Sequence, residues 1–142
     1  MSSALAGLVS GFQKKYELTG LTEDEQGFFT LYVDDRRIQL FESLGKIYLA
    51  AFVRQMPAEN FHRVGLLKAA LKASLANATG YRVSLYLDER DDSLRMYQCV
   101  KDNELDLLAF EALIEKFMYA LDGLSEFTEQ SRYTNKPRLV AI

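Results

Sequence analysis

The reactive groups in these 142 residues are few: one histidine, His62, and one cysteine, Cys99. A nucleophilic Cys–His pair would have to be assembled from the start of a helix and the end of a strand. No third residue is signalled to orient the base. One His and one Cys also fall short of a four-ligand zinc site. Asp88, Glu89, Asp91 and Asp92 cluster in a way that invites comparison with a calcium loop. The EF-hand spacing and its glycine are absent, and a hairpin tip is where solvated carboxylates ordinarily sit. The same reading applies to Asp34-Asp35 and to Glu23-Asp24-Glu25. Gly7 and Gly11 lie within a helical pattern rather than after a strand, so they do not make a phosphate loop. No apolar pocket is implied around any carboxylate pair. The expectation is a protein that is not an enzyme and holds no cofactor or metal, and whose function resides in its surfaces.

The elements that build those surfaces are legible from periodicity. Asn60 to Thr79, between Pro57 and Gly80, is helix-compatible throughout and has two apolar faces. Phe61, Val64, Leu67, Leu71, Leu75 and Ala78 form one stripe. Leu66, Ala70, Ala73 and Asn77 form a flatter one, with Lys68 and Lys72 on a narrow polar strip. A helix apolar on two sides must bury two sides. The larger stripe is assigned to the sheet. The flatter stripe is assigned to a homodimer interface with a second copy of the chain.

Before this helix, Ala4 to Leu18 reads as a helix with Leu5, Leu8, Val9, Phe12 and Tyr16 on one face. An acidic connector, Thr19 to Gln26, leads to a three-stranded meander. With turns at Asp34-Asp35 and Ser43–Lys46, Leu31 opposes Ile38, Phe29 opposes Leu40, Leu40 opposes Leu49 and Ile38 opposes Ala51. The aliphatic residues then share one face. The other face carries two rows, Phe28–Phe41–Tyr48 and Tyr32–Arg37–Phe52, with a cation–π contact from Arg37 expected in the second. That aromatic face is either covered by a helix or open to a partner. The Arg and Gln between its rings make full burial costly.

A hairpin from Val83 to Cys99 follows. The last helix is expected to start at Asn103 as N-cap, with Asp106 at the capping-box position, and to run to about Thr128. The fold class is therefore α+β: a twisted antiparallel sheet with helices, in the order α-β-β-β-α-β-β-α. Residues 1–128 are expected to form a single domain, and 129–142 a tail that either stays flexible or adds an edge strand. The net charge of −3 and pI near 5.2 oppose a nucleic-acid partner. No segment has the apolar length of a membrane span. A lone cysteine and the lack of a signal-peptide pattern at the N-terminus suit the cytoplasm.

The ordered set of local strings resembles the class I type III secretion chaperones, the Tir-chaperone-like family. The strings are Leu18-Thr19-Gly20-Leu21, Gly27-Phe28-Phe29-Thr30-Leu31, Gln55-Met56-Pro57, Ala76-Asn77, and the hairpin from Val83-Ser84-Leu85 to Leu94-Arg95-Met96. The resemblance spans roughly Leu5 to Phe127. It implies a cytoplasmic homodimer, with the middle helix in its interface, that binds the extended N-terminal region of a secreted effector. Effector contacts are expected at Leu8 and Phe12 of the first helix and at Tyr32, Phe41, Tyr48 and Phe52 of the sheet. The competing reading is an α+β adaptor or regulator-sequestering protein that binds a folded partner.

Overall fold

In a computed structural model of the protein, the described residues are 4–18, 21, 23–33, 36–77 and 83–134, the side chains of 75–77, 104 and 130–134 excepted. The elements are α1 (Ala4–Lys15), β1 (Phe29–Val33), β2 (Arg36–Ser43), β3 (Lys46–Gln55), α2 (Asn60–Asn77), β4 (Ser84–Asp88), β5 (Ser93–Lys101), a short 3-10 turn (Asp102–Glu104) and α3 (Leu107–Thr134). The strands form one five-stranded sheet in the order β1-β2-β3-β5-β4. The expected α-β-β-β-α-β-β-α order is the observed one. The chain divides into two compact units, residues 1–51 with 97–117 and residues 52–96 with 118–142.

In the first unit the meander has the register that its alternation dictates. Phe29 opposes Leu40, Leu31 opposes Ile38, and Leu40 opposes Leu49. Ile38, Leu40, Ile47 and Leu49 are at most 1% exposed. Their covering includes α1, whose Leu5 and Val9 are buried. The Leu5 N–H donates to Glu42 Oε1 at 3.1 Å, so a strand carboxylate satisfies one orphan donor at the positive end of α1. Ser43 pairs with Lys46, leaving Leu44 and Gly45 as a two-residue turn with φ of 53° and 76°. Two positive φ values match the right-handed strand twist, as in a type I′ hairpin.

α1 stops three residues short of the expected Leu18. Glu17 takes a left-handed conformation (φ 54°), and the Leu18 N–H donates to the Gln13 carbonyl at 2.9 Å. This closes the helix in a Schellman-like turn without the usual glycine. The start of α3 also departs from expectation. Asn103 lies in the 3-10 turn. Asp106 is the N-cap, its Oδ1 accepting the Ala109 N–H at 2.8 Å.

In the second unit the start of α2 is tied to the β4–β5 turn. Arg63 Nη1 donates to Asp92 Oδ2 at 2.6 Å and to the Pro57 carbonyl at 3.2 Å. The Met56 N–H donates to the Asp92 carbonyl at 2.9 Å, and Gln55 Nε2 donates to the carbonyls of Asp91 and Asp92. α3 continues to Thr134, six residues beyond its expected end near Thr128. Thr128 is fully buried yet satisfied: its hydroxyl donates to the Leu124 carbonyl at 2.9 Å and accepts from Arg54 Nε at 3.0 Å. Arg54 Nη2 also donates to the Ser125 carbonyl at 2.7 Å. The Asp34-Asp35 turn, the Ala78 position, the Gly80 stop and residues 135–142 of the expected tail lie outside the described residues.

Candidate functional site: two open apolar surfaces

The first surface is the side of the meander opposite Ile38 and Leu40. Strand alternation puts Tyr32, Phe41 and Tyr48 there, and Phe28 precedes β1 on the same side. The Phe28 and Phe41 rings stack with centroids 4.6 Å apart and planes 12° apart. Phe41 and Tyr48 stack at 4.8 Å and 5°. The expected row is thus a continuous ring ladder across β1, β2 and β3. Its members are half-buried, and Tyr32 beside it is 70% exposed. Ala50, on the same side by alternation, is buried, so the face is open at Tyr32 and partly covered along the ladder. A tight turn sets the approach of β1: Asp24 Oδ1 accepts the N–H groups of Gln26 and Phe28, and Gly27 has φ of 86°.

Phe52, in the second unit, is 43% exposed. The cation over its ring is Arg95 of β5, 5.8 Å from the centroid, in place of the expected Arg37. Leu8 and Phe12 do not join the sheet rings. They belong to α1, on the side marked by Glu42, and both are half-buried. Phe12 meets Phe110 edge-on at 6.0 Å and Tyr16 at 4.9 Å. The expected contact set therefore divides between the two sides of the sheet.

The second surface is on α2, and here the expected faces are exchanged. Leu66 (2% exposed), Ala70 (1%) and Ala73 (6%), assigned to a dimer interface, are buried within the chain itself, together with Ala69. Phe61 (61%), Val64 (44%) and Leu71 (63%), assigned to the sheet, are exposed. Small side chains let a helix backbone approach its neighbours closely, so the flatter stripe suits the interior and the bulkier one is left outside. Lys68 carried the signal that sequence reading missed. It falls one turn after Val64 and two turns after Phe61, so it puts an ammonium inside the bulky stripe rather than beside it. Asn77 ends α2, and its side chain lies outside the described residues.

The polar groups considered for chemistry are occupied structurally. Asp88 Oδ2 accepts from Arg90 Nη2 at 2.9 Å and lies 3.4 Å from Arg95 Nε. The Arg90 hydrogen bonds, with Arg95 nearby, hold the Asp88 carboxyl down at about 2. Asp91 accepts from the Ser93 hydroxyl at 2.6 Å and from Arg95 at 2.8 Å, which lowers its pKa in the same sense. His62 lies 3.4 Å from Glu59 and meets Phe61 edge-on, and Cys99 is a half-buried unpaired thiol on β5. Among the described residues no three His, Cys, Asp or Glu side chains group to hold a metal. No helix among them is long and apolar enough to cross a membrane.

Residues 7–125 match the sequence profile of the Tir chaperone protein (CesT) family. The chain belongs to that family. These are the class I type III secretion chaperones that the sequence resembles, and the fold agrees with solved structures of similar architecture. The ExsC–ExsE complex aligns with TM-score 0.71 and 17% identity, over 89% of this chain and 94% of that one. The HopA1–SchA chaperone–effector complex aligns with TM-score 0.66 and 21% identity, over 87% and 94%. The heterodimeric ExoU–SpcU complex of the Pseudomonas aeruginosa type III secretion system aligns with TM-score 0.63 and 13% identity, over 84% and 96%. A search of curated protein sequences found no match.

Proposed function

We propose that this family member is a homodimeric, cytoplasmic type III secretion chaperone without enzymatic activity. In this reading it binds the extended N-terminal region of a secreted effector and keeps it competent for export. The observation that carries the reading is the half-buried ring ladder of Phe28, Phe41 and Tyr48 beside the exposed Tyr32, on a chain of the CesT family. Exposed rings on a sheet offer side-chain pockets to an extended segment. The edge strands β1 and β4 offer main-chain hydrogen bonds. Tyr32, Phe41, Tyr48 and Phe52 are the contacts on the sheet, and Leu8 and Phe12 contribute from α1.

The dimer forms through the exposed stripe of α2, Phe61, Val64 and Leu71, in place of the buried Leu66, Ala70 and Ala73. The test is light scattering of the purified protein, followed by co-purification with N-terminal fragments of secreted proteins from the same cell. A dimer that retains such fragments, and loses them in a Tyr32→Ala/Tyr48→Ala variant of unchanged circular dichroism, supports the reading. A monomer that captures only folded partners overturns it.

A further inference from the structure

We propose that the open sheet face of the first unit selects a segment of acidic character, with carboxylates interspersed among apolar and aromatic side chains. This deepens the chaperone reading above and rests on it. The chain as a whole is acidic, with a net charge of −3. The strand residues on this face are not. Arg37 stands opposite Tyr32, and Lys46 and Lys101 occupy the ends of β3 and β5 on the same side by alternation; all three are exposed. Among the described strand residues of this unit the single carboxylate is Glu42. It points to the covered side and accepts from the Leu5 N–H. Of the remaining described carboxylates near these strands, Glu23 lies beside the start of β1, bridged to Phe29, and the others sit off the strand ends. They belong to the Glu23–Glu25 turn, where Asp24 is occupied by the N–H groups of Gln26 and Phe28, and to the Asp102–Asp106 connection.

The rings point the same way. Phe28, Phe41 and Tyr48 stack face to face, so the negative π faces between them are covered and only the outer faces of Phe28 and Tyr48 are free of the stack. What they offer outward is ring edge, and the edge is the positive part of the aromatic quadrupole. A surface of positive ring edges rimmed by two lysines and an arginine complements carboxylates. The same stacking disfavours single-stranded nucleic acid, which needs open ring faces on which bases can stack.

The probes are labelled peptides of about ten residues, which span about 33 Å when extended. One alternates Phe and Leu with Glu, a second replaces every Glu by Lys, and a third replaces every Glu by Gln. An oligothymidine of similar length is the fourth probe. Binding to the full chain is read by fluorescence anisotropy. The Glu peptide is expected to bind about tenfold more tightly than the Lys peptide at low salt, with the Gln peptide between them and the ratio shrinking at about 0.5 M salt. In Arg37→Glu/Lys46→Glu the order of the charged peptides should reverse. If that variant loses its fold, Arg37→Gln/Lys46→Gln should abolish the preference.

Equal or tighter binding of the Lys or Gln peptide overturns the inference and leaves segment capture standing. Tighter binding of the oligothymidine than of every peptide overturns it in favour of a nucleic-acid face. Binding of no peptide overturns both the inference and the reading beneath it.

Discussion

Arg63 Nη1 lies 2.6 Å from Asp92 Oδ2, joining the first turn of α2 to the β4–β5 turn. Asp92 is also one of three non-glycine residues described with positive φ, at 53°. Asn tolerates that conformation about as well as Asp does. Asp92→Asn therefore removes the charge while keeping the turn. Both side chains are partly exposed, so the expected loss is modest. Thermal unfolding should show a fall of a few degrees that shrinks in 1 M salt. An unchanged melting temperature would mean that the bonds from the Met56 N–H and the Gln55 side chain to the turn carbonyls suffice to hold this junction.

Asp88 makes the acid limb of stability predictable in sign. Its folded pKa, about 2, lies below the ordinary carboxylate value. The stabilisation is therefore fully present above the unfolded pKa near 4 and is lost as pH falls through about 2. Asp88→Asn should melt below the parent at pH 7. The gap between the two should close as pH is lowered from about 4 towards 2. A gap independent of pH over that range would show that the Arg90 and Arg95 contacts do not depend on the charge.

Leu44 is 98% exposed in a left-handed conformation. No burial is lost on replacing it, and the strain of an aliphatic residue at positive φ is relieved by Asn. Leu44→Asn, which creates the favoured Asn-Gly pair, should stabilise by about 1 kcal/mol and raise the melting temperature by about 3 °C. Destabilisation instead would mean that Leu44 packs on something in solution.

The two sides of α2 give opposite expected outcomes. Leu71→Glu, on the exposed side, should leave the circular dichroism intact and convert a dimer to monomer in light scattering. Leu66→Ala, on the buried side, should cost about 2–4 kcal/mol of stability whatever the oligomeric state. A Leu71→Glu protein that stays dimeric would move the interface elsewhere.

Thr128→Val is nearly isosteric and keeps the buried methyl. It removes the acceptor of Arg54 Nε, and the loss should be about 1–2 kcal/mol. No loss would show that the bond from Arg54 Nη2 to the Ser125 carbonyl suffices.

The meander was legible because its alternation admits one register: a slip by one residue would turn Leu31, Ile38 and Leu49 outward. The aromatic row was legible for the same reason, although whether it was covered was not, since that depends on where helices dock. The faces of α2 were separable by periodicity. Their assignment was not, because side-chain volume suggested the reverse of what close packing through Ala70 and Ala73 selects. The helix ends failed for local reasons. Glu17 closes α1 in a conformation usually given to glycine. Asn103 and Asp106 are both good caps, and the one with a free donor at Ala109 won. That α3 carries Thr128 as a buried helical residue was not legible, because the group that satisfies its hydroxyl, Arg54, lies far away in sequence.

The ring ladder has a further consequence. Phe28, Phe41 and Tyr48 already immobilise one another, so a segment laid across them finds side chains whose rotamers are fixed beforehand. The entropy of ordering then falls almost wholly on the incoming chain. A segment still held in a folded domain must first be released, and that release subtracts from its affinity. One that is already unstructured loses nothing to it. Discrimination between folded and unfolded partners can thus arise from the rigidity of the platform, with no contact that senses folding.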